Sequence, residues 1–108
     1  MENVLKRTHM CGVLTEKNIG ESVVLNGWIQ KRRNLGGLIF CDMRDKTGIV
    51  QIVFDDKIPE ELFRAADSLR SEFVVGIKGI VKERQAKNKE LPTGDIEVFV
   101  DALKIYSE

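Results

Sequence analysis

Net charge is absent from this sequence of 108 residues: 17 Lys and Arg balance 17 Asp and Glu. A strongly basic chain would point to nucleic acid by charge alone, so any such case here must rest on local clustering. Long apolar runs are missing too. Nothing approaches the roughly 18–20 consecutive apolar residues of a membrane span. The opening MENVLKRTHMCGVL has no unbroken apolar stretch and no small-residue cleavage site, so no secretory leader is expected. Cysteine is scarce, with only Cys11 and Cys41, and they form no CxxC pair. The single histidine, His9, stands alone, so neither a zinc site nor a cysteine–histidine nucleophile is expected. Reduced thiols and a cytoplasmic location follow as the default.

Enough is present for one domain with a modest core. Hydrophobic residues make up 43% and charged residues 31%, the balance of an ordinary globular chain. Residues 1–10 are polar and expected to be loosely held. Residues 13–20, VLTEKNIG, predict a short helical turn closed by Gly20. A β-branched run, SVVLNGWIQKRR, predicts a first strand. Gly36-Gly37 marks a hairpin into LIFCDMRD, and Lys46-Thr47-Gly48 a second turn into IVQIVFDD. PEELFRAADSLRSE places Leu62, Phe63, Ala66 and Leu69 at helical spacing, with Pro59 in the first turn. EFVVGIKGIVKE and DIEVFVDALKIY are two more strands, separated by the polar loop QAKNKELPTG.

The order β-β-β-α-β-β with long, glycine-bearing strands predicts an all-β, five-stranded OB-fold barrel with a helix between strands 3 and 4. A small open sheet under one helix is the competing reading. Residues 1–20 are expected to form an N-terminal segment and 21–108 the barrel domain.

Alternation along the strands sorts the faces. Ile39, Cys41 and Met43 share one side of the second strand; Phe40, Asp42 and Arg44 share the other. Burying two unpaired charges is costly, so Phe40 is expected on the outer face. Gln51 lies between Ile49 and Val53, and Glu97 and Asp101 flank Phe99. The triple cation Lys31-Arg32-Arg33 sits near this surface. Each feature alone is bland, since single exposed rings and solvated charge runs are common. Together they combine cations for phosphates, a ring for an unpaired base, and an amide and a carboxylate for base edges. That set predicts single-stranded nucleic acid as the ligand. Phe40, Val53 and Phe99 as exposed apolar residues leave open a protein-binding barrel.

No catalytic constellation is evident. Gly36-Gly37 is a turn rather than a phosphate loop, and Asp42, Asp45, Asp55 and Asp56 lack calcium-loop spacing. No catalytic residue, metal or cofactor is expected in this chain, which should bind rather than catalyse.

RTHMCGVL at 7–14, GWIQKRRNLGGLIFCDMRDKTGIVQIVFD at 27–55, LRSEFVV at 69–75 and LPTGDIEV at 91–98 resemble the N-terminal anticodon-binding domain of bacterial-type aspartyl-tRNA synthetases. The central pattern is shared more loosely with the asparaginyl and lysyl enzymes; RTHxCG and LPTGxIEV favour the aspartyl form. The resemblance implies an OB-fold that grips the anticodon loop of tRNA for aspartate. It implies that Phe40 stacks on the middle anticodon base, a uridine. Arg33, Gln51 and Glu97 would contact bases, and Asn88 would meet RNA from the loop before the last strand. Lys87 and Lys89 would meet phosphates, and Lys31 and Arg32 the backbone or solvent. Leu35 stands where some relatives carry histidine, a place linked to charging asparagine tRNA as well; leucine leans toward the strict enzyme. The resemblance further implies a larger class II parent, homodimeric, with ATP and magnesium in a catalytic domain beyond Glu108. The isolated domain could then be monomeric. A general single-strand-binding module, or the related domain of an asparaginyl- or lysyl-tRNA synthetase, remains the alternative.

Overall fold

The computed structural model describes residues 6–108. Five strands carry the fold: β1 (Ser22–Leu35), β2 (Leu38–Asp45), β3 (Gly48–Phe54), β4 (Val74–Glu83) and β5 (Ile96–Ser107). One helix, α1 (Glu60–Asp67), falls between β3 and β4. The strands close in the order β1-β2-β3-β5-β4, and β4 returns to β1. Only β3 and β5 run parallel. Closure removes the open-sheet alternative, with β3 and β5 joined at Ile52–Val98 and Val53–Phe99.

β1 makes closure possible by serving two neighbours. Its first half, Ser22 to Trp28, pairs with β4; its second half, Trp28 to Leu35, pairs with β2. A register shift between Ile29 and Lys31 bends the strand where it changes partner. The β1–β2 turn holds Gly36 at φ 59° and Gly37 at φ 84°. Two consecutive positive φ values match the twist of a tight hairpin, and glycine adopts them without a Cβ penalty.

The alternation read from sequence survives in the barrel. Ile39, Cys41 and Met43 are fully buried, as are Val50, Ile52 and Phe54 of β3 and Ile96 and Val98 of β5. α1 plugs one end: Ala66 is buried, and Leu62 and Phe63 pack on the core. Pro59 is the N-cap rather than a first-turn residue, and Glu60 and Glu61 follow at the positive end of the helix dipole. The helix stops at Asp67, short of the predicted span. The Ser68 hydroxyl donates to the Ala65 carbonyl at 2.7 Å and closes the last turn. Among the described residues no helix is long and apolar enough to cross a membrane.

The N-terminal expectations need correction. Residues 1–5 lie outside the described residues. Residues beyond them are fastened rather than loose: the Thr8 amide donates to the Val24 carbonyl at 2.9 Å, and the Val24 amide donates to Thr8 Oγ1 at 2.8 Å. His9 serves as a local hydrogen-bonding partner, 2.6 Å from Thr8 Oγ1. An unforeseen 3-10 turn forms at Cys11–Val13, where Cys11 and then Leu14 enter the core. The short turn expected within 13–20 forms as a second 3-10 turn at Glu16–Asn18, followed by Gly20 at φ 93°. A reciprocal cap between Thr15 and Asn18 holds the second.

Asp45 ties this segment to the β2–β3 turn. Its carboxylate accepts from the Cys11 amide at 2.7 Å, the Thr47 amide at 2.8 Å and the Thr47 hydroxyl at 2.6 Å. Thr47 Oγ1 accepts in turn from the Gly12 amide at 2.8 Å. Both thiols are free and buried. Burial pushes the Cys41 thiol up to about 12 and Cys11 further still, which disfavours the thiolate at both.

Candidate nucleic-acid interface

Strand pairing places the proposed binding residues in adjoining positions. Arg33 on β1 is directly opposite Phe40 on β2, and Asp42 on β2 is opposite Gln51 on β3. Phe40 is also opposite Val53, which in turn pairs with Phe99 on β5. Phe40, Gln51, Val53, Glu97 and Phe99 line a groove of about 480 Å³, walled on the other side by Lys82 and the start of the loop after β4. Phe40 and Phe99 are half-buried at its rim.

Three of the sequence-predicted residues are joined in one hydrogen-bonded chain. Arg33 Nη2 donates to Gln51 Oε1 at 2.9 Å, and Gln51 Nε2 donates to Glu97 Oε1 at 2.7 Å. This relay sets the orientation of the amide, with its oxygen toward the guanidinium and its nitrogen toward the carboxylate. Asp42 Oδ2 flanks Arg33 Nη1 at 3.6 Å and holds the guanidinium from its other side. Gln51 and Glu97 are only 6% and 7% exposed, deeper than an open outer face implies. Polar groups at that depth need partners, and the relay supplies them. Among the described residues no side chain donates to Glu97 Oε2, so it can accept from a base edge. Val53, expected to be exposed, is buried. It lines the groove between Phe40 and Phe99, its neighbours on the two adjoining strands.

The other named residues are distributed around this centre. Lys31 shares the outer face opposite Asp42 and is exposed. Arg32 turns to the helix side, its Nη1 donating to Asp67 Oδ1 at 3.2 Å. Leu35 is 58% exposed at the hairpin tip. Asn88 organises the β4–β5 loop: its Oδ1 accepts from the Glu90 amide at 3.0 Å, and its own amide donates to the Gly94 carbonyl at 3.0 Å. Lys87 donates to Glu83 Oε2 at 2.6 Å, and Lys89 is exposed. That contact lowers the Glu83 pKa and raises that of Lys87.

Comparison with known proteins adds a separate observation. The OB-fold nucleic acid binding domain model, of tRNA anticodon type, matches residues 23–106. The chain belongs to this family. It is 50% identical over 104 residues to an aspartate–tRNA ligase from Clostridium kluyveri, covering 96% of this chain and 18% of that protein. It is likewise 50% identical over 106 residues to an aspartate–tRNA(Asp/Asn) ligase from Caldanaerobacter subterraneus, again 96% of this chain and 18% of the relative. The chain therefore spans under a fifth of the curated relatives it matches. Among solved structures, asparaginyl-tRNA synthetase from Pyrococcus horikoshii superposes with a TM-score of 0.81 at 32% identity, over 96% of this chain and 23% of that one. The resemblance to aspartyl-tRNA synthetases read from the motifs is borne out. The relative named for aspartate alone and the one named for Asp/Asn match at the same 50% identity, so identity does not separate them.

Sequence reasoning missed Lys82, and it placed Asp42 on the outer face without giving it a partner there. Both had a signal. Lys82 is opposite Glu97 in the β4–β5 register, and Asp42 is opposite Gln51. Only pairing shows this, because each residue reads as an ordinary surface charge along its own strand.

The loop carrying Asn88 is built around Gly94. A Cβ there would overlap the Asn88 carbonyl oxygen and approach the Leu91 carbonyl oxygen at 3.0 Å. Gly94→Ala is expected to cost about 1–3 kcal/mol, because two backbone carbonyls must move. Thermal unfolding checks this. An unchanged Tm would mean that the loop adapts freely.

Proposed function

We propose that this domain recognises the anticodon loop of tRNA for aspartate, as the N-terminal part of a cytoplasmic, homodimeric aspartate–tRNA ligase. The single observation that carries the reading is the Arg33–Gln51–Glu97 relay beside the Phe40 ring, in a family built to bind nucleic acid. Similarity to aspartate–tRNA ligases over 96% of the chain supports the choice of tRNA.

In this reading Phe40 stacks on the middle anticodon base. A stacked ring orients the base edge toward the relay. Arg33 donates to a base or phosphate oxygen while Asp42 and Gln51 hold its plane. Gln51 Nε2 holds one oxygen of Glu97, leaving the other to accept from the N–H groups of a guanine or the amino group of a cytosine. Asn88 approaches the RNA from its loop, and Lys31, Lys87 and Lys89 meet phosphates. Arg32 braces α1 through Asp67. Leu35 at the hairpin tip contacts the anticodon where strict and dual enzymes diverge. ATP, magnesium and aspartate belong to the catalytic part of the parent enzyme.

An anticodon stem-loop titrated against the domain tests this. Replacing the middle uridine is expected to weaken binding, because stacking and edge contacts are made to that base. Equal affinity for every loop sequence, with steep salt dependence, marks a general single-strand binder instead.

A further inference from the structure

Phe99 and Lys82 form a feature of the groove to which the anticodon residues assign no role. Phe40, Val53 and Phe99 occupy one row across β2, β3 and β5. Two strand spacings separate the rings at the backbone, about 10 Å. That distance gives each ring its own base. Phe99 is half-buried, and its exposed face is covered by the Lys82 ammonium, 4.5 Å from the ring centroid. Lys82 is itself exposed and makes no salt bridge among the described residues. A cation on an exposed ring is held less strongly than a stacked base.

We propose that Phe99 is a second stacking platform, for the nucleotide adjoining the one on Phe40. Lys82 covers this platform in the free protein and moves to the linking phosphate when a base arrives. The site thus takes a dinucleotide of unpaired RNA, with one base per ring and a cation over the linkage. This rests on the anticodon reading and deepens it.

Phe99→Leu tests the platform. Leucine keeps apolar bulk over Val53, so the barrel stays closed, but it has no π face. The probe is an aspartate-tRNA anticodon stem-loop carrying 2-aminopurine in turn on each side of the middle base. The unaltered domain is expected to quench one of the two positions on binding. Phe99→Leu should relieve that quenching and weaken binding fivefold or more. Lys82→Ala should retain the quenching and make the slope of log K against log salt shallower by about one. If Phe99→Leu binds and quenches as the unaltered domain does, while Phe40→Ala weakens binding, the second platform is overturned and the anticodon reading stands. If the unaltered domain binds no stem-loop, both fall. Circular dichroism and a thermal melt of each variant separate misfolding from a lost contact.

Discussion

Phe40→Ala is expected to lower affinity for the aspartate anticodon stem-loop by about 5- to 150-fold, the equivalent of ~1–3 kcal/mol for one stacked base. Stability should change little, because Phe40 is only half-buried and projects from the outer face of β2. The core side of that strand, Ile39, Cys41 and Met43, is untouched. The loss should appear mainly in the dissociation rate, since the ring contributes contact area rather than long-range attraction. The salt slope should stay the same, because no phosphate contact is removed. Fluorescence or calorimetric titration reads the affinity, and a thermal melt checks the fold. Affinity within twofold of the unaltered domain would remove Phe40 from the interface.

Asp45→Ala is expected to destabilise the domain by about 1–3 kcal/mol, the cost of stranding the buried Cys11 amide and of releasing the exposed Thr47 from its two bonds. In a domain of this size that lowers Tm by roughly 5–20 °C. Three donors lose their acceptor: the Cys11 amide, the Thr47 amide and the Thr47 hydroxyl. Burial by itself would raise the Asp45 pKa. The hydrogen bonds from Thr47 and Cys11 outweigh it and hold the group below its ordinary value of 3.8. A carboxylate lowered on folding contributes fully above its unfolded pKa, and the contribution is lost as pH falls through the folded one. Stability of the unaltered domain should therefore decline on acidification from about pH 4 downward. Asp45→Asn should start lower and show a shallower acid limb. An Asp45→Ala melt that matches the unaltered protein would show that the N-terminal segment holds without this tie.

Much of the candidate site was legible in the chain because strands alternate with period two. Phe40 falls between Ile39 and Cys41, so its outward placement needs no tertiary information. Glu97 and Phe99 follow by the same rule between Ile96, Val98 and Val100. Exposure was harder to read. Val53 has the right parity for the outer face yet is buried, in the middle strand of the row with Phe40 and Phe99 on either side. Parity says which side a residue takes, whereas depth depends on neighbours that sequence distance conceals. Arg32 does follow parity, alternating with Lys31 and Arg33 and pairing with core-side Cys41; only its partner, Asp67 on α1, needed the tertiary structure.

By itself the sequence determined the element order, most of the core positions and the outward ring. Each depends on local period, on glycine conformation or on a motif within a few residues. Tertiary structure alone decided that Arg33, Gln51 and Glu97 act as one unit, since 18 and 46 positions separate the bonded pairs. It also decided that Lys82 covers Phe99 and that Asp45 fastens residue 11. Such contacts arise when β1, β2, β3, β5 and β4 close into a ring, and closure is a property of the whole chain.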